Sequence, residues 1–330
     1  MNKLNFSTGD IIENRYLILD KFRGSMGLAY LVENLDPEPK RPSRLIMKTF
    51  LPGIQRESSL QQFLKEAKIW INVAPFKNVV HAYKVELIQD HPVIFAEYVA
   101  PGLLPNVLTE WIHFRLTNLE MSLFFIVQLL DGLWYSYQDD IELHGDLKPS
   151  NLLINQDLDL KINDWGFAIP SNKNMALDEY QAWFSRYHGA SDYLAPEAKS
   201  ATPLLSRAVD GYALGVLLGE MLTGERFQAG ISTDLVKQKI SPVCFGVDTP
   251  VIESLASVIA GLLCLDPASR TDFYEQYSRT LADLFSEVSE INVIDDSDAI
   301  IISPMPPGHS DRVNQSKSVL NQFKNHPKDT

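Results

Sequence analysis

Sulfur chemistry is nearly absent from this chain. Its 330 residues include two cysteines, Cys244 and Cys264, with no CxxC pair and no framework spacing. That argues against a disulfide scaffold and fits a reducing compartment or indifference to redox. The seven histidines show no zinc-ligand spacing, so a structural metal is not expected. No segment supplies the roughly 20 apolar residues that span a bilayer. The best candidate, Gly211–Leu222, is short and carries Glu220, so it reads as a buried helix. The stretch Met1–Ser7 lacks the apolar run of a secretory signal. Positive charge is also scarce: 29 basic against 42 acidic residues leave a net charge of −13. Bulk electrostatic attraction to nucleic acid is therefore excluded as the main mode of binding. These absences predict a soluble, cytoplasmic protein that binds neither membrane nor nucleic acid.

What is present divides into three textures. Short apolar or alternating runs at Tyr16–Leu19, Leu28–Val32, Leu45–Phe50 and Val93–Ala96 predict strands bounded by turn residues. Between them, Ser58–Val73 sets Leu60, Phe63, Ala67 and Trp70 at helical spacing. The prolines Pro37, Pro39 and Pro42 mark an exposed strand connection. From about Leu119 the pattern turns helical, with Leu119, Leu123, Ile126, Val127, Leu130, Leu133, Trp134 and Tyr137 in one apolar stripe. After about Ser286 the periodicity fades into the acidic cluster Asp295–Asp298, prolines at 304, 306 and 307, and a polar end. Such a composition predicts a disordered tail. Within it, Ile300–Ile302 reads either as a docking strand for a regulatory partner or as an apolar patch on the chain's own surface.

The chemistry concentrates in His144-Gly145-Asp146-Leu147-Lys148-Pro149-Ser150-Asn151, followed by Asp164-Trp165-Gly166. An Asp, a Lys two residues on and an Asn five residues on can place three polar tips around one transferring phosphoryl group, and a second Asp adds a carboxylate for Mg²⁺. This arrangement resembles the catalytic loop and metal motif of the eukaryotic-like (Hanks-type) Ser/Thr protein kinase superfamily, H-R-D-x-x-x-x-N and D-F-G. Ala195-Pro196-Glu197, Asp210-Gly211 and Arg270 follow in the family's order, so the resemblance covers roughly residues 14 to 285. It implies an α+β, bilobal kinase fold. Residues 1–13 would be an N-terminal extension and 14–98 an antiparallel β-sheet lobe with one helix. Residues 99–286 would form a larger, mainly helical lobe and 287–330 the tail.

The resemblance also implies roles. Asp146 would orient or deprotonate the acceptor hydroxyl, Lys148 would neutralise the γ-phosphoryl, and Asn151 and Asp164 would hold Mg²⁺. Lys48 would contact the α- and β-phosphates of ATP, paired with Glu66 on the following helix. Gly24 and Gly27 would let backbone N–H groups approach phosphate. The adenine would meet the hinge at Glu97 and Val99, with Leu153 beneath it. Glu197 and Arg270 would form a buried ion pair, and His144 would be a packed structural group.

Several positions depart from the family pattern. Phe22 replaces the first glycine of G-x-G-x-x-G, and Ala29 replaces the valine after it. Ile46 stands where a small residue is usual two before the strand lysine, while Ala96 resembles a small gatekeeper. Bulk at 46 is expected to be offset at 96. Gly145 replaces the arginine that meets an activation-loop phosphate, and the segment from Asp164 to Glu197 contains no threonine. Control by loop phosphorylation is therefore not expected. Ala190 replaces a threonine that bridges Asp146 and Lys148 in relatives. Three readings follow: a kinase acting on Ser/Thr of proteins, a small-molecule kinase of the aminoglycoside or choline type (which also reads HGD and DW), and a nucleotide-binding pseudokinase scaffold. Lys148-Pro149 and Ala195-Pro196-Glu197 favour the first.

Overall fold

The computed structural model describes residues 4–23, 28–36, 42–49, 67–73, 75–89, 91–102, 106–138, 141–171, 192–200 and 203–294. The chain packs as two compact units, Met1–Glu110 with Asp131–His188, and Trp111–Leu130 with Gly189–Thr330.

The first unit is built on a six-stranded antiparallel sheet. Its strands are β1 (Ile11–Ile12), β2 (Tyr16–Arg23), β3 (Leu28–Asn34), β4 (Arg44–Lys48), β5 (Ala82–Ile88) and β6 (His91–Glu97). They lie in the order β1-β2-β3-β4-β6-β5. Alternation sends Tyr16, Ile18, Tyr30, Val32, Leu45, Met47, Val93 and Phe95 to one apolar core. Leu4, Phe6 and Ile12 join that core, and the Phe6 N–H donates to the Tyr30 hydroxyl at 3.3 Å. Strand β5 was not anticipated. Its Lys84 and Glu86 break the apolar pattern, but Glu86 accepts a 2.8 Å bond from the Tyr16 hydroxyl and also pairs with Lys84. Residues 67–72 form the described part of helix α1, with Ala67 and Trp70 buried. The rest of the helix expected over Ser58–Val73 lies outside the described residues.

Four short strands complete this unit: β7 (Ile141–Leu143), β8 (Leu152–Ile154), β9 (Leu160–Ile162) and β10 (Ile169–Pro170). β8 pairs with β9 and β7 with β10. These pairings bring the loop after β7 beside the turn after β9. Gly132 lets the helix carrying it approach closely, because a Cβ there would lie 2.8 Å from Ile162 Cδ1 and 2.9 Å from the Asn78 carbonyl.

Helical packing dominates the second unit. α2 (Leu108–His113) and α3 (Leu119–Gln138) are divided between the two units, while α4 (Arg207–Thr223), α5 (Thr233–Ile240), α6 (Thr249–Leu262) and α7 (Phe273–Ile294) belong to the second. The stripe expected on α3 is buried except for Val127 and Trp134, which lie at its rim. In α4 every residue from Ala208 to Leu222 is buried, Glu220 included. Ser206 caps its start by accepting the Ala208 N–H at 3.3 Å, and Gly224 ends it in the left-handed region. Helix α7 continues past Ser286 to Ile294, because Leu281, Leu284, Phe285 and Val288 keep helical spacing on a buried face. The rest of the tail, with Ile300–Ile302, lies outside the described residues. A β-sheet on the N-terminal side and helices on the C-terminal side give the α+β architecture expected. No helix among the described residues is long and apolar enough to cross a membrane.

Candidate active site

Lys48, Asp146, Lys148, Asn151 and Asp164 all fall within the first compact unit, and two short loops bring them together. The loop after β7 folds back on itself. Pro149 begins a single tight turn, Pro149–Asn151, capped by extended Lys148. The turn returns Asn151 to Asp146, so its Nδ2 donates to the Asp146 carbonyl at 2.8 Å and to Oδ2 at 2.9 Å. Lys148 Nζ donates to the two carboxylate oxygens of Asp146 at 3.0 and 2.7 Å. Burial pushes the Asp146 carboxyl above the usual carboxylate range, and the pull of Lys148 does not fully reverse this. Asn151 thereby commits its side-chain N–H groups to Asp146 and presents Oδ1 as its side-chain acceptor.

His144 is wholly buried. Its Nδ1 accepts the Asp146 N–H at 3.2 Å, so Nε2 carries the proton and faces the Asn163 carbonyl at 3.2 Å. The ring meets Trp165 edge-on at 4.7 Å. Burial lowers its pKa to about 4, leaving a neutral, packed ring that orients Asp146 through the backbone. Gly145, between them, has φ +80°, a conformation that costs a glycine nothing sterically.

Hairpin β8–β9 delivers the second carboxylate. The Asn163 N–H donates to the Asn151 carbonyl at 2.8 Å, tying the two loops together. Asp164 follows in the left-handed region, φ 63° and ψ 77°, at the head of a tight turn but with no capping bond from its side chain. A non-glycine residue there costs about 1–2 kcal/mol. Its carboxylate instead meets Lys48 Nζ at 2.7 Å. Burial pushes its pKa up, but the neighbouring charges, Lys48 first, together hold the carboxyl below the usual range. Lys48 ends β4, opposite Ala29 on β3 and Ile94 on β6.

Glu97 ends β6. Its carboxylate accepts from Lys161 Nζ at 2.9 Å and from the His81 N–H at 3.2 Å. The Val99 carbonyl accepts from Asn106 Nδ2 at 3.4 Å, and Leu153 sits half-buried on β8 opposite Lys161. Ile46 and Ala96 are direct cross-strand partners in β4 and β6, so their side chains share one face. Gly24, Gly27, Glu66 and Ala190 lie outside the described residues.

Sequence reasoning missed two groups. Lys161 was hidden because its partner is 64 residues away. Trp70, read only as helix core, holds its ring 5.3 Å from Lys48 Nζ.

In the second unit, the Arg270 guanidinium pairs with the Glu197 carboxylate and donates through Nε to the Ala208 carbonyl at 3.3 Å. Next to Ala195-Pro196-Glu197, Tyr193 donates to Glu220. Arg226 bridges Glu220, at 2.9 Å, and Asp192.

Comparison with known proteins agrees with this arrangement. Extracellular signal-regulated kinase 2 of Dictyostelium discoideum is 25% identical over 289 residues, covering 84% of this chain and 75% of that protein. MAP kinase kinase kinase wis4 of Schizosaccharomyces pombe is 32% identical over 152 residues, covering 44% of this chain and 11% of that much longer protein. The solved kinase domain of Mycobacterium tuberculosis PknI shares the fold with a TM-score of 0.59 at 18% identity, covering 85% of this chain and 99% of its own. The model of the protein kinase domain matches residues 23–280. With the match spanning both the sheet and the helices, the chain belongs to the protein kinase domain family.

Proposed function

We propose that the chain transfers the γ-phosphoryl group of ATP to serine or threonine hydroxyls of proteins, in line and without a covalent enzyme intermediate. The observation that carries this reading is the Asp146 carboxylate, buried and held by Lys148 and Asn151 from its own loop, beside a second loop whose Asp164 meets Lys48. Asp146 receives or orients the acceptor hydroxyl, and the upward push of burial suits a proton acceptor. Lys148 faces the charge that grows on the transferred group, and Lys48 holds the α- and β-phosphates with help from Glu66. Backbone N–H groups at Gly24 and Gly27 cover the phosphates. The main chain at Glu97 and Val99, with Leu153, receives the adenine.

The residues fit Mg²⁺. Asn151 Oδ1 and the Asp164 carboxylate are hard oxygen donors, the type that ion takes. No cluster of three or more His, Cys, Asp or Glu is placed to hold a metal among the described residues. Asn151 and Asp164 would hold the ion, which would supply positive charge to the nucleotide phosphates. When bound, the ion neutralises phosphate charge; orientation and proton transfer remain with Asp146 and Lys148. Gly145 supplies no guanidinium for an activation-loop phosphate, so we assign the chain no charge switch of that kind. Regulation through a partner on the C-terminal tail, and a cytoplasmic location, belong to the same proposal.

The test is transfer from γ-labelled ATP with Mg²⁺, followed by phosphoamino-acid analysis of the labelled protein. Lys48→Met or Asp164→Asn should each lower turnover at least ~100-fold, about 2.7 kcal/mol of transition-state stabilisation. Near-normal turnover in both would refute the residue assignment. Label confined to tyrosine or to small molecules would refute the substrate class.

A further inference from the structure

Lys48 has a second neighbour that the phosphotransfer reading leaves without a role. Its ammonium lies 5.3 Å from the centroid of the Trp70 ring, inside the ~6 Å reach of a cation–π contact. Trp70 is only 4% exposed, and its indole Nε1–H donates to the Val80 carbonyl at 2.8 Å. The Val80 N–H in turn donates to the Ile162 carbonyl at 2.9 Å. Ile162 ends β9, two residues before Asp164, and Asp164 returns to Lys48 at 2.7 Å. The contacts close a circuit: Lys48, Trp70, Val80, Ile162, Asp164 and back to Lys48.

A tryptophan on the buried face of a helix usually serves packing alone. This one is attached at both ends, by its N–H to the segment alongside β9 and by its face to the lysine. We propose that Trp70 is a positioning residue for Lys48, fixing the ammonium against Asp164 so that its remaining donors are directed at nucleotide phosphate. A lysine needs such help. Its four-carbon stem is flexible, its three donors rotate freely, and among the described residues the Asp164 carboxylate takes only one of them. The indole covers another side of the ammonium with negative π-density that accepts no proton and forms no competing ion pair. Because the ring is tied through Val80 to the strand that delivers Asp164, a shift of that strand carries the lysine's support with it.

The inference rests on the proposed contact of Lys48 with phosphate, and the experiment keeps the two separable. Trp70→Phe and Trp70→Leu in the full chain both remove the indole N–H; only phenylalanine keeps an aromatic face. The difference between them therefore isolates the face from the hydrogen bond. Two readouts are compared: the KM for ATP against kcat, and the NMR signals of the Lys48 ε-methylene, assigned by their disappearance in Lys48→Met. Trp70→Leu should raise the KM for ATP about 3- to 30-fold with a smaller effect on kcat. It should also abolish the upfield ring-current shift of the methylene. Trp70→Phe should keep part of that shift and recover part of the KM. Equal KM values in the two variants would overturn the proposal. So would a wild-type methylene with no upfield shift, a result that does not depend on either variant folding. Near-normal turnover in Lys48→Met would instead sink the phosphate role of Lys48 and leave the ring-current result standing.

Discussion

Arg270→Met should be among the most destabilising single changes available in this chain. The side chain is 0% exposed, and its guanidinium serves four partners at once. It pairs with the Glu197 carboxylate, donates to the carbonyls of Cys264 and Ala208, and lies over the Tyr212 ring with 5.6 Å to the centroid. Methionine fills most of the volume and serves none of them. Removing one member of a buried ion pair costs about 3–5 kcal/mol, because the other charge stays buried without compensation. Glu197 makes that penalty acute: its Oε2 already has no hydrogen-bond partner among the described residues. The Cys264 and Ala208 carbonyls each lose one donor, adding about 0.5 kcal/mol apiece at the low end of a net hydrogen bond. A total near 4–6 kcal/mol is comparable to the whole stability of many proteins, about 5–15 kcal/mol. Urea unfolding followed by circular dichroism measures it. The internal check is Glu197→Gln with Arg270→Met, which removes both charges and should be at least ~2 kcal/mol more stable than Arg270→Met alone. A loss below ~1 kcal/mol for Arg270→Met, or no recovery in the double variant, would refute the reasoning.

Two further outcomes follow from the first unit. Ala96 is buried directly opposite Ile46, so Ala96→Phe overpacks that face at a cost of about 1–3 kcal/mol. Calorimetric titration with a non-hydrolysable ATP analogue should show at least a ~10-fold loss of affinity. Unchanged affinity would mean that 46 and 96 only pack the sheet. Asp131, 5% exposed on α3, has its pKa raised by burial to about 7, with Lys77 pulling the other way. The unfolded carboxyl titrates near ~3.9. The folded state therefore holds the proton to higher pH, and stability falls as pH rises from about 4 to about 7, by on the order of 4 kcal/mol in all. Asp131→Asn should be more stable than wild type at pH 8, with the gain shrinking towards pH 5. A gain independent of pH would contradict the assignment.

What could be read from the sequence, and what could not, divides by separation along the chain. Asp146, Lys148 and Asn151 lie within six consecutive residues, so one tight turn decides their geometry and spacing alone predicts it. The strands β2, β3, β4 and β6 announce themselves through apolar alternation. Strand β5 does not, because its Lys84 and Glu86 are satisfied by Tyr16 and by each other, nearly 70 residues from the former. The ties of Glu97 to Lys161 and of Lys48 to Trp70 depend on which elements the fold sets side by side. No local period encodes that. The last turns of α7 were obscured differently. Val288 and Ser289 are buried among polar neighbours too mixed to hold a visible stripe.

Gly145 shows how one position carries two physical meanings. As a change of charge, arginine to glycine removes a cation that could have met a phosphate, and that much is legible in the motif. As a change of backbone, it places the one residue without a Cβ at φ +80°, between His144 and Asp146. Any other residue there would carry about 1–2 kcal/mol of strain. The loop that holds the Asp146 carboxylate is thus relaxed at its sharpest point, while the neighbouring Asp164 keeps its own left-handed strain and offsets it with the bond to Lys48. The Asp146 carboxylate is held by Lys148 and Asn151 of its own loop, whereas Asp164 depends on Lys48, 116 residues away.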